Sequence, residues 1–100
     1  MKIYIAGKIT GLPVGEVFAK FGQAEFWLKE QGYEVVNPLR LCSQSWSWQQ
    51  CMRVCIAALV GCDAVCLLKD WNESRGAMVE HYIASMMGMR IIVYKPSKRA

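Results

Sequence analysis

Strand and helix signals alternate along this chain of 100 residues, and that alternation constrains the fold more than any other feature. Lys2-Ile3-Tyr4-Ile5-Ala6 is a short apolar run stopped by Gly7, which reads as a strand. Residues 7–13 carry two glycines and a proline and read as a loop. Val14, Phe18, Phe21, Ala24 and Leu28 recur at helical spacing and predict a first helix that stops near Gly32. Tyr33-Glu34-Val35-Val36 is a second strand, closed by Asn37-Pro38, where the proline biases Asn37 away from helix. A polar stretch leads into a second helix with the stripe Trp48, Cys51, Met52, Cys55, Leu59 and Cys62. Asp63 to Leu68 is nearly all apolar, as suits a strand covered on both faces. Ser74 is a good N-cap for a third helix running to about Met87, with Gly88 at its end. Arg90 to Tyr94 is the last strand.

A βαβαβαβ pattern implies a parallel sheet with right-handed crossovers and helices on both faces. The expectation is therefore one α/β domain, three-layered and flavodoxin-like or Rossmann-like, over residues 1–95, with a basic tail at 96–100. The four-stranded sheet is expected in the order 2-1-3-4, although spacing alone does not fix that order. Ligands of such sheets bind beyond the carboxyl ends of the strands, where the chain reverses direction. Here that places loops 7–13 and 69–75 at the crevice.

Composition narrows the function classes. Apolar types make up 54% of residues and charged types 20%, a globular balance with an apolar excess that a partner subunit can cover. No apolar run approaches the roughly 18 residues of a membrane span. The opening segment is too short for a signal peptide, so the expected setting is cytoplasmic, with no membrane partner. Cys42, Cys51, Cys55, Cys62 and Cys66 are odd in number and do not show the usual zinc-knuckle spacing, and His81 supplies no fourth ligand. They read as reduced, buried apolar groups, with neither metal nor cofactor implied. The net charge of +4 is mild, and part of it sits in Arg90, Lys95, Lys98 and Arg99. A nucleic-acid surface asks for more charge with interleaved aromatics, whereas an anionic small molecule fits the sign.

Glu80 stands out among the polar residues. At about 100° per residue, Gly76, Ala77, Ile83, Ala84 and Met87 fall on one helix face, with Glu80 at its centre. A carboxylate on an apolar stripe is costly unless paired, hydrogen-bonded or used, and burial raises its pKa. It reads either as a nucleophile or general base, or as a rim residue paired with Arg90. Gly7-Lys8-Ile9-Thr10-Gly11 offers turn glycines, a hydroxyl and a positive charge suited to phosphate, yet matches neither the dinucleotide nor the Walker fingerprint. Trp71 can stack on a base or sugar, or cap the core. Tyr4, near the end of the first strand, has a hydroxyl within reach of Glu80 if strands one and three flank the crevice. His81 points off the stripe, toward the surface or an interface.

Tyr4-Ile5-Ala6-Gly7-x-Ile9-Thr10-Gly11, Asn37-Pro38, Cys62-Asp63 and Trp71-x-x-Ser74-x-Gly76-Ala77-x-x-Glu80 together resemble the DUF4406 family, grouped with the nucleoside 2-deoxyribosyltransferase-like proteins. The resemblance covers nearly the whole chain. It implies that Glu80 is a nucleophile attacking the anomeric carbon of a deoxynucleoside or its 5′-monophosphate, and that Tyr4 holds its carboxylate. It implies that the Gly7 to Gly11 turn and Ser74 bind a 5′-phosphate, as in the 2′-deoxynucleoside 5′-phosphate N-hydrolase branch. The candidate substrate contacts are accordingly Gly7, Lys8, Ile9, Thr10, Gly11, Asn37, Trp71, Ser74 and Gly76. It also implies a homo-oligomer, a dimer or larger, in which a neighbouring subunit helps complete the site. Two positions depart from the pattern. Cys55 stands where the catalysts carry an aspartate that assists base departure, and Lys8 stands in place of proline or serine. Three readings follow: a nucleoside or nucleotide N-glycosidase or transferase, a nucleotide-binding module without turnover, and a purely structural interaction protein.

Overall fold

The computed structural model describes residues 1–96. Strand β1 (Lys2–Ala6) is followed by helix α1 (Val14–Glu30), strand β2 (Glu34–Val36), helix α2 (Trp48–Val60), strand β3 (Ala64–Leu67), helix α3 (Arg75–Met86) and strand β4 (Arg90–Val93). Single 3-10 turns at Pro38–Arg40 and Trp71–Glu73 precede α2 and α3. All strands are parallel, in the order β2-β1-β3-β4. The expected α/β class and strand order both hold. Of the basic tail expected at 96–100, residues 97–100 lie outside the described residues. Among the described residues no helix is long and apolar enough to cross a membrane.

The period-2 alternation of strand side chains divides the core into two layers. Ile3 and Ile5 of β1, with Ala64 and Cys66 of β3, face α1 and meet Val17, Phe21, Ala24 and Leu28. Tyr4 and Ala6, with Val65 and Leu67, face the opposite way and meet Cys55 and Leu59 of α2 and Ala77 and Ala84 of α3. One helix thus covers one face and two cover the other. The register Tyr4↔Val65 and Ala6↔Leu67 sets β1 and β3 side by side at the centre of the sheet, where the chain reverses.

Helix ends follow local chemistry. Ser47 and Gln50 form a reciprocal capping box at the start of α2. The Ser74 Oγ accepts from the Ala77 amide at 3.1 Å, the cap expected from sequence. Gly88 takes a φ of +69° after α3, a left-handed exit that favours glycine.

Two helical stripes differ from expectation. On α1 the buried face runs Val17, Phe21, Ala24, Glu25 and Leu28, while Val14 and Phe18 are more than half exposed. Counting back from Phe21, the core-facing position is four residues away at Val17, and the first turn of the helix projects past the sheet. On α3, Met87 lies beyond the last helical residue and is exposed.

The cysteines also differ. Cys42 and Cys51 form a disulfide rather than a pair of free thiols, because the segment after Arg40 folds back over α2 and brings their Cα atoms to 5.5 Å. Cys55, Cys62 and Cys66 are free and buried, as expected for small apolar groups.

Candidate active site

A cavity of about 410 Å³ opens beyond the carboxyl ends of β1 and β3, within the range of small-molecule sites. The amino-terminal turns of all three helices border it. Leu12, Val14 and Phe18 form one wall, Trp46, Trp48 and Met52 another, and the α3 segment from Ser74 to Glu80 the third. The guanidinium of Arg75 lies over the Trp48 ring at 4.2 Å, fixing that indole beside the α3 entrance.

Glu80 sits on the cavity wall and is only 6% exposed. Its partner is Tyr4, whose hydroxyl donates to Oε2 at 2.5 Å. Tyr4 is fully buried in the sheet, so its ring is held by the core while its hydroxyl emerges at the crevice. No cation faces Glu80 among its hydrogen-bond and ion-pair partners in the described residues. Burial therefore dominates and pushes its carboxyl up to about 7, against the opposing pull of the Tyr4 hydrogen bond. The phenol of Tyr4 is pushed far above its usual range by its own burial and by the adjacent carboxylate. Such a pair keeps the tyrosine a permanent donor and leaves Glu80 free to exchange a proton near neutrality.

The loop after β1 is positioned by packing. A Cβ on Gly7 would come within 2.6 Å of Leu68 Cδ1, so only glycine lets this turn lie against the end of β3. Gly11 takes a φ of +87°, the other place where the turn needs glycine. Asp70 clamps the loop from across the sheet. It accepts the Lys8 amide at 3.0 Å and the Lys20 Nζ at 2.5 Å, and Lys20 also donates to the Lys8 carbonyl. Burial opposes ionisation of Asp70, but the Lys20 and Lys8 hydrogen bonds overcome it and hold its carboxyl below the usual range.

Seven of the residues singled out from sequence line the cavity: Tyr4, Gly7, Ile9, Thr10, Ser74, Gly76 and Glu80. Cys55, at the position where an aspartate is expected, also lines it, whereas Lys8, Gly11, Asn37 and Trp71 lie off its wall. Lys8 turns its ammonium toward Glu73 at 3.8 Å. Asn37 is buried; its side chain donates to Glu25 at 3.1 Å and accepts the Leu39 amide at 3.0 Å, pinning the turn that carries Pro38 and Leu39 to α1. Trp71 packs on the core and meets the His81 ring with centroids 4.4 Å apart. Gly76 lets α3 approach α2, where a Cβ would meet the Met52 sulfur at 3.1 Å.

Sequence reading missed the clamp and one wall. Asp70 carried a usable signal, an acid just past the end of a buried strand in a basic neighbourhood. The approach of Cys42 to Cys51 and Cys55 carried none, because it depends on how an irregular segment folds back. Cys55 faces the same pair: its thiol is pushed up by burial and by the Glu80 carboxylate, with the nearby Tyr4 hydroxyl acting the other way.

A parallel α/β domain with a buried, tyrosine-bound carboxylate at the point of strand reversal defines the class of this protein. The chain belongs to the DUF4406 family, described as "Domain of unknown function (DUF4406)", whose model matches residues 1–93. Among solved structures it is similar to the CMP N-glycosidase BcmB of Clostridium botulinum, with a TM-score of 0.66 and 22% identity, covering 93% of this chain and 70% of that one. It is likewise similar to a 2-desoxiribosyltransferase from Leishmania mexicana, with a TM-score of 0.70 and 19% identity, covering 98% of this chain and 66% of the other. The shared feature is the fold. No curated protein matches the sequence.

Proposed function

We propose that this chain cleaves or exchanges the N-glycosidic bond of a nucleoside or deoxynucleoside 5′-monophosphate, with Glu80 as nucleophile and Tyr4 as the residue that orients it. The observation that carries the reading is the 2.5 Å Tyr4–Glu80 hydrogen bond on the wall of a ligand-sized cavity. The names of the two structural neighbours, a CMP N-glycosidase and a deoxyribosyltransferase, support glycosidic chemistry in this fold.

In the proposed reaction an ionised Glu80 oxygen bonds to the anomeric carbon as the carbon–nitrogen bond breaks. The base leaves with the electron pair and takes up a proton from solvent, which is returned when the attacking water or second base loses its own in the next step. Water, or a second base, then attacks the same carbon and frees Glu80. Tyr4 donates to the carboxylate oxygen and fixes its direction of attack. Thr10, the Gly7 amide and the amino-terminal turn of α3 form the phosphate end, and the Trp46–Trp48–Met52 wall takes the base.

Trapping tests this directly. A 2-fluoro-2-deoxyribosyl nucleotide should leave a covalent adduct, placed on Glu80 by peptide mass spectrometry. Absence of both adduct and base release across the common nucleotides would remove the enzymatic claim.

One observation favours a second reading, a nucleotide-binding module without turnover. The residue facing Tyr4 and Glu80 from α2 is Cys55, and a thiol with a raised pKa is a poor proton donor to a departing base. Thermal stabilisation by nucleotides without product, with activity appearing in Cys55→Asp, would establish it.

A homo-oligomer in the cytoplasm completes the proposal. Met78, Tyr82 and Met86 form an exposed apolar stripe along α3. Light scattering coupled to size exclusion should show a dimer or larger species that weakens in Tyr82→Glu.

A further inference from the structure

Three cysteines converge on one wall of the cavity, and the glycosidic chemistry does not use them as a set. Cys42 comes from the segment after the Pro38–Arg40 turn. Cys51 and Cys55 lie four residues apart on α2 and so share a face. Their Sγ atoms all lie within 4.8 Å of one another. The Cys42–Cys51 disulfide accounts for two sulfurs. It does not account for the third, which stands 3.6 Å from the Cys42 Sγ and 3.8 Å from the Cys51 Sγ. All three line the cavity.

We propose that the reduced Cys42, Cys51 and Cys55 bind one thiophilic divalent cation of the zinc class, with three thiolates at three corners of a tetrahedron and the fourth corner open to the cavity. The geometry is close to that required. Metal–sulfur bonds of about 2.3 Å at a tetrahedral ion give sulfur–sulfur edges of about 3.8 Å. Two edges already have that length, and only the disulfide edge must open. Thiolate donors select zinc-like or softer ions over magnesium or calcium. A divalent ion leaves one net negative charge on the trio, whereas a monovalent ion leaves two beside Glu80. The sequence spacing concealed this set, since two ligands come from one helix and the third from a segment that folds back onto it.

The chemistry balances in two steps. A phosphine reductant gives two electrons to the disulfide; with water it becomes the phosphine oxide, and Cys42 and Cys51 become thiols. The cation then forms three metal–sulfur bonds as three S–H bonds release three protons to buffer.

The inference is independent of the glycosidic reading and is tested without substrate. The full chain, reduced by phosphine without oxygen, is titrated with Co²⁺ alone and then Zn²⁺. The expected result is one Co²⁺ per chain, a thiolate-to-cobalt charge-transfer band with the visible bands of four-coordinate cobalt, and bleaching by equimolar Zn²⁺. Cys42→Ser and Cys55→Ser should each weaken binding at least tenfold, whereas Cys62→Ser and Cys66→Ser should not. A reduced, folded chain without the charge-transfer band overturns the proposal, as does a band that survives Cys55→Ser or disappears with Cys66→Ser. If the serine variants fail to fold, X-ray absorption on the wild-type zinc complex decides: a three-sulfur shell at about 2.3 Å supports the site, and a nitrogen and oxygen shell overturns it.

Discussion

Glu25 and Glu80 are both buried glutamates on helices packed against the same sheet, at 5% and 6% exposure, yet their chemistry is opposite. Burial raises the carboxyl of Glu25 too, but hydrogen bonds from Lys29, Asn37 and Arg40 outweigh it and hold the group at about 2. Lys29 and Arg40 also form ion pairs with it. Glu80 has one neutral partner and sits at about 7. The two side chains are equally covered, but the Glu25 carboxyl lies close to the surface among partly exposed cations and the Glu80 carboxyl lies deep, so depth and neighbours act in the same direction. The acid surrounded by donors ties α1 to the Pro38–Arg40 turn, and the one left with a tyrosine remains available for reaction.

The sharpest way to break the comparison is Glu80→Gln. We expect turnover to fall by about a thousandfold or more, measured as base release, since the amide accepts from Tyr4 but cannot bond to carbon. The same variant should be more stable than the wild type near pH 8. A folded pKa raised from 4.5 to about 7 means that stability is fully present below pH 4.5 and is lost as pH rises through 7. The advantage of the glutamine should therefore grow over that window to on the order of 3 kcal/mol, readable by urea denaturation at several pH values.

Tyr4→Phe comes next. It removes the donor that lowers the Glu80 pKa, so the acid limb of kcat/KM should move above 7 and the rate at pH 7 fall by about 10- to 100-fold. A limb that stays in place would separate Tyr4 from the ionisation of Glu80.

Glu25→Gln tests the other half. It should leave the pH profile of turnover unchanged and cost about 1 to 2 kcal/mol at pH 7, a modest figure because Lys29 and Arg40 are largely exposed. The sign is reversed relative to Glu80: a depressed pKa gives stability that is present above pH 4.5 and disappears as pH falls toward 2. Wild type and variant should converge in acid denaturation.

Asp70→Asn is the smallest. It weakens the Lys20 clamp on the loop after β1, and KM for a nucleotide should rise about threefold to tenfold with little change in kcat.

The periodic parts of this molecule were readable in advance. Strand alternation gave the element order and the position of the crevice, and a 3.6-residue period put Glu80 on the inward face of α3. Glu25 escapes the same test, because the spacing puts Phe18 in place of Val17 on the buried stripe of α1, a rotation that hides the acid four residues beyond Phe21. Asn37 is legible as a residue turned away from helix by the following proline and is expected as a substrate contact, but it lies off the cavity wall, and its role as a donor to Glu25 depends on contact across elements. The disulfide and the Asp70 clamp likewise join segments far apart along the chain or held in irregular loops, where neither propensity nor period carries information.

The fit of Gly7 against Leu68 reaches beyond the turn itself. Leu68 belongs to the layer under α1, on the far side of the sheet from Glu80. The floor under a bound molecule is thus set by a side chain that never touches it, and Leu68→Val offers a hidden adjusting screw, able to lower one end of the crevice while every group facing the ligand keeps its identity.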